Sequence, residues 1–92
     1  MVTKEEIKKM LSEMECHFVE KIELQSKLQE MLNTDNKFED GDDYGLPDYC
    51  MYFTNGENDA TRNFCDIRVD YLKSRKRGTI FITSFEILNY YA

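Results

Sequence analysis

The chain has 92 residues, 12 basic against 18 acidic for a formal net charge of −6, with 41% apolar and 13% aromatic residues and no Trp. That length allows one domain with a thin core, burying about 60–65% of the surface the unfolded chain exposes. The aromatic and apolar content excludes a disordered chain, and the acidity argues against nucleic acid or anionic membranes as partners and for basic protein surfaces.

The opening segment, MVTKEEIKKM, has no apolar h-region of a signal peptide. Within it Thr3 and Glu6 have the spacing of a capping box, with Thr3 as N-cap. Apolar residues then recur at Ile7, Met10, Leu11, Met14, Phe18, Ile22, Leu28, Met31 and Leu32, with no Gly or Pro between them. This spacing predicts one amphipathic helix over about 4–32, ~43 Å long at 1.5 Å per residue. Leu24 departs from the stripe and marks a bend in the last third. Glu6, Glu13 and Glu20, spaced by seven, line one ridge of that helix, drifting ~20° and advancing ~10.5 Å per step. Glu5, Glu15, Glu23 and Glu30 widen the ridge, and Lys8, Lys9, Lys21 and Lys27 interrupt it.

Residues 34–48 read as an acidic loop: Asp35, Glu39, Asp40, Asp42, Asp43 and Asp48 against a single Lys37, with two Gly and the only Pro. A β-meander over 49–85 follows. Residues 49–54 (YCMYFT) form a strand, and Asn55-Gly56 is a turn signal. In 65–71, Cys65, Ile67, Val69 and Tyr71 alternate with Asp66, Arg68 and Asp70, a strand with one face on a core and one in water. Residues 74–78 turn the chain and 79–85 (TIFITSF) make another strand. The apolar tail, 86–92, is compatible with a strand, a helical turn or a dimer contact. The expected fold is therefore α+β over residues 1–92: one long N-terminal amphipathic helix packed on an antiparallel meander of three to four strands.

No constellation for catalysis emerges. His17 adjoins Cys16, but neighbours on a helix point about 100° apart, and nothing marks a third member of a catalytic set. Cys16, His17, Cys50 and Cys65 lack metal-ligand spacings; the odd thiol count and absence of CxxC suit reduced cysteines in the cytosol. A calcium loop begun at Asp40 places Asp42 and Gly45 well, yet it puts Tyr44 at its fifth position and Met51 where a bidentate Glu is needed. Phosphate loops and nucleophile elbows are absent, and no run approaches the ~18 apolar residues of a membrane span. The expectation is a non-enzyme without cofactor or metal, bound to neither nucleic acid nor membrane. The basic knot of Lys73, Arg75, Lys76 and Arg77 reads as a charged turn that keeps a sheet edge soluble.

What remains is the arrangement of acids. Duplex DNA carries one negative charge per ~1.7 Å of axis, and carboxylates on a rigid scaffold can stand in for its phosphates. Glu6, Glu13 and Glu20 on the helix, Glu39, Asp40, Asp42, Asp43 and Asp48 in the loop, and Glu57 and Asp59 on the first hairpin are the candidates for such a surface. The rival expectation is a protein–protein interaction module that binds through its aromatics and apolar tail, its acidity serving solubility.

From MVTKEEIKKMLSEMECHFVEK through DNKFEDGDDYGLPDY to TIFITSFEILNYYA, the chain resembles the Arn family of anti-restriction proteins of T-even bacteriophages. The resemblance implies a homodimeric DNA mimic in the host cytoplasm that inhibits the restriction endonuclease McrBC and so protects phage DNA. Other bacterial DNA-binding proteins, such as nucleoid proteins, are further candidate partners. The acidic positions named above come from the residues, not from the resemblance.

Overall fold

The structure, a computed structural model, describes residues 3–41, 49–55 and 64–91. In chain order the elements are α1 (Lys4–Met14), β1 (Phe18–Glu20), α2 (Lys21–Leu32), β2 (Glu39–Asp40), β3 (Tyr49–Thr54), β4 (Phe64–Lys73) and β5 (Thr79–Tyr91). The strands form one antiparallel five-stranded sheet in the order β1-β5-β4-β3-β2.

The expected single helix over 4–32 is two helices separated by a strand. α1 starts as the capping box predicts, with the Glu6 amide donating to Thr3 Oγ1 at 3.2 Å. It ends where Glu15 turns extended (ψ 136°) and Cys16 adopts a left-handed φ of 64°. The apolar pattern explains the break. At ~100° per residue, Leu24 and Leu28 on a continuous helix would lie roughly 90° around from the stripe of Ile7, Leu11 and Met14. Interrupting the helix lets both sets face the same core, and all five side chains are buried. The interruption is itself stabilised by the sheet: Phe18, Val19 and Glu20 pair with Phe81, Ile80 and Thr79.

The expectation of three to four strands is likewise short, because β1 and β2 are added at the two edges. β2 falls inside the expected acidic loop, whose first part is anchored in several ways. Gln29 Nε2 donates to the carbonyls of Asp35 and Asn36 at 3.2 and 2.9 Å. Asn36 Nδ2 reaches the Thr54 carbonyl at 2.8 Å, and Phe38 meets Phe53 at 5.1 Å between ring centroids. The tail, left open by the sequence, continues β5 to Tyr91 against β4. Register shifts at Asp66/Ile67 and Asp70/Tyr71 allow the long strand to curl, and the first leaves Leu88 outside the pairing and 44% exposed.

Both helices pack on one face of the sheet. Ile7, Leu11, Leu24 and Leu28 meet Met51, Phe53, Ile67, Val69 and Ile82, and each of these side chains is at most 1% exposed. Burial of one such aliphatic or aromatic side chain stabilises by about 1.5–3 kcal/mol, so this cluster dominates the stability of a thin domain. No polar or charged residue among those described is buried. The alternation expected over 65–71 holds: Cys65, Ile67, Val69 and Tyr71 are buried on the helix side. No described helix of this chain is long and apolar enough to cross a membrane.

Candidate anionic surface

α1 and the start of α2 distribute the N-terminal carboxylates. Glu6 and Glu13 are both exposed on α1, two turns apart, as the spacing by seven requires. Glu20 leaves that ridge, because it sits in β1 and at the N-cap position of α2. The three-member ridge is thus a pair. Glu39 and Asp40 lie in β2, at the opposite edge of the sheet order from β1. Asp42, Asp43, Asp48, Glu57 and Asp59 fall outside the described residues, as does the Gly56 half of the expected turn.

Charge neutralisation sorts these groups. Asp40 is 3.2 Å from Lys21 Nζ, and Glu20 is 4.0 Å from Lys76 Nζ. Glu23 has an i,i+4 contact of 3.9 Å to Lys27. These exposed contacts are worth a few tenths of a kcal/mol, but each lowers the local negative potential that a partner would meet. Glu5, Glu6, Glu13, Glu15 and Glu30 in the helical layer, Asp35 and Glu39 after it, and Asp66 and Glu86 on the sheet have no ion-pair partner among the described residues.

The sheet face turned away from the helices adds acids that sequence reasoning did not include in the site. Asp66, Arg68 and Asp70 project there from β4, and Glu86 stands across from Arg68 on β5. Arg68 Nε donates to Asp70 Oδ1 at 3.0 Å, which raises the guanidinium further above its ordinary value. Ser84 Oγ donates to Asp70 Oδ2 at 2.8 Å. Asn89 Nδ2 donates to Asp66 Oδ2 at 3.1 Å and fixes that carboxylate without neutralising it. The signal for this face was present in the alternation over 65–71, which already turned Asp66 and Asp70 to water.

The groups considered for catalysis or metal binding stand apart. Cys16 and His17 are exposed in the segment between α1 and β1, whereas Cys50 and Cys65 are buried in the sheet. Burial, with a smaller push from Asp66, raises the Cys65 thiol to about 11. Among the described residues no three His, Cys, Asp or Glu side chains converge as metal ligands would. Comparison of the chain with protein-family models, with characterised proteins and with solved structures finds no match.

Proposed function

We propose that this protein is a DNA mimic that inhibits a DNA-binding restriction endonuclease of a bacterial host by occupying its DNA-binding site. The observation that carries the reading is the set of unneutralised carboxylates on the helical layer, Glu5, Glu6 and Glu13 on α1 and Glu30 on α2, with Glu15 at the C-cap of α1. The resemblance of the sequence to the Arn family makes McrBC the target of choice, nucleoid proteins further partners, and the host cytoplasm the place of action.

The magnitude of the charge sets the stoichiometry. Glu6 and Glu13 are ~10.5 Å apart along α1, a length over which duplex DNA carries about six charges. One copy is therefore a dilute mimic, and a homodimer that joins two acidic layers suits a DNA-binding cleft better. Association is steered by the long-range field and weakens as salt screens it.

A competition assay tests the proposal. The protein is titrated into a modification-dependent endonuclease holding labelled DNA, at about 50 and about 300 mM salt. Displacement that fades at the higher salt is the expected result; no displacement at the lower salt overturns it. A second reading, an interaction module with an apolar contact, draws on Phe18 and Ile22, 66% and 68% exposed. It predicts partner binding that hardly responds to salt.

A further inference from the structure

Three residues of the basic knot and the sequence-distant Lys21 gather around one cavity. Lys73 ends β4, Lys76 and Arg77 lie in the turn to β5, and Lys21 opens α2. Together they wall a cavity of about 410 Å³ whose lining includes Tyr49 and Tyr71. That volume falls within the range of small-molecule sites, roughly 300–1,000 Å³. Asp40 is the one carboxylate among the described lining residues, and it is already held by Lys21 at 3.2 Å.

The wall is a built structure. The Lys76 amide donates to Ser74 Oγ at 3.1 Å, and the Thr79 amide to the Lys76 carbonyl at 3.1 Å. Gly78, at φ 83°, closes the turn, and its carbonyl accepts from the Lys21 amide at 2.9 Å. Those bonds hold like charges together against their mutual repulsion. Arg77 has no ion-pair partner among the described residues, and the contact of Lys76 with Glu20 is a long 4.0 Å. The Lys73 ammonium rests 4.5 Å from the centroid of the Tyr49 ring, which itself stacks on Tyr71 at 5.8 Å. A cation over an aromatic face is only a partial substitute for an anion.

Four cations against one lining carboxylate, with Arg77 in no ion pair among the described residues, beside stacked rings in a protein of net charge −6, favour an anion with a planar group. We infer that the cavity binds a mononucleotide, its phosphate taken by Lys76 and the fork of Arg77 and its base held against the lining tyrosines, Tyr49 and Tyr71. The inference stands independently of DNA mimicry, because it uses none of the unneutralised carboxylates.

Titration calorimetry of the intact protein at low salt, with nucleoside monophosphates, the matching nucleosides and inorganic phosphate, tests it. The nucleotides should bind at least about tenfold more tightly than either the nucleosides or phosphate. Arg77→Ala should weaken nucleotide binding by about tenfold or more, while Arg75→Ala, outside the lining, leaves it unchanged. Tyr49→Leu should remove the advantage of nucleotide over phosphate. Circular dichroism verifies that each variant is folded, and Arg77→Ala, on a surface turn, keeps the test independent of any core damage by Tyr49→Leu. Absence of nucleotide binding by the wild type, equal affinity for phosphate and nucleotide, or indifference to Arg77→Ala overturns the inference. So does a change confined to the association state in sedimentation, which would make this wall a contact between copies.

Discussion

The Cys16 amide donates to the Ile82 carbonyl at 2.7 Å, and the Ile82 amide returns a bond to His17 at 3.2 Å. This pair of bonds places the end of α1 on β5 and requires Cys16 to hold a φ of 64°, a region costly for residues with a Cβ. Cys16→Gly relieves that strain at some cost in unfolded-state entropy, so it should be neutral or stabilising by up to about 1 kcal/mol. Cys16→Val, β-branched, should destabilise by about 1–3 kcal/mol. Urea denaturation midpoints of the two variants check the opposite signs.

Leu24 and Leu28 anchor α2 to the sheet, both fully buried. Leu24→Ala should cost about 2–5 kcal/mol through lost burial and the cavity left behind. For so small a domain that is a large share of total stability, and a thermal melt should show a markedly lower Tm.

Gly41 is tied by its amide to the Cys50 carbonyl at 2.9 Å. A Cβ there would lie 2.6 Å from Cys50 Sγ and 2.6 Å from Cε2 of Tyr52. Gly41→Ala should therefore destabilise by about 1–3 kcal/mol, as overpacking does, whereas Gly41→Ala would be harmless if that edge were open. Chemical denaturation distinguishes the two.

The charge sorting predicts unequal mutations. Under the proposed mimicry, reversing Glu6, Glu13 and Glu30 to Lys should weaken displacement of DNA from the endonuclease by orders of magnitude with the fold retained, because these groups have no ion-pair partner among the described residues. Reversing Glu20 and Asp40, each beside a lysine, should weaken it much less. Equal effects of the triple and the double variant in the displacement assay would discard this ranking.

The three thiols should differ in reactivity. Cys16 is exposed and should label quickly near pH 8, whereas Cys50 and Cys65 should label only on unfolding. The Cys65 thiol, raised from 9.0 to about 11, keeps its proton in the fold after the unfolded chain has lost it. Its contribution is thus intact below pH 9 and is lost as pH rises towards about 11. The stability difference between wild type and Cys65→Ala should shrink over that interval in pH-resolved melts.

Much of the sheet was legible because its signals are local. The strict alternation around Ile67 and Val69 and the turn ending at Gly78 both predict what forms. The helical segment misled for a specific reason: Phe18 and Ile22 continue the spacing of Ile7, Leu11 and Met14, yet they are 66% and 68% exposed. The residues that made the pattern look unbroken are those the fold leaves outside its core. Leu24 and Leu28, both out of step with that stripe, carried the true signal of a change in direction. The site was legible in the same measure. Glu6 and Glu13 keep their ridge because they share α1, and Glu20 loses it because pairing with Thr79 decides its conformation. Likewise no local pattern joins Lys21 to Arg77; the β1–β5 pairing and the Lys21–Gly78 backbone bond bring the helix to the basic turn.

The break between the helices also sets an order of assembly. Residues 16–20 contain neither Gly nor Pro, and what holds them extended is β5, which leaves the ribosome only after β2, β3 and β4. Until then the amino-terminal segment is free to run on as helix, with its two apolar sets facing different ways and neither able to complete a core. The extended form of residues 18–20, and with it the placement of Glu20 off the helical ridge, thus depends on pairing with the strand farthest from it in sequence among the described elements.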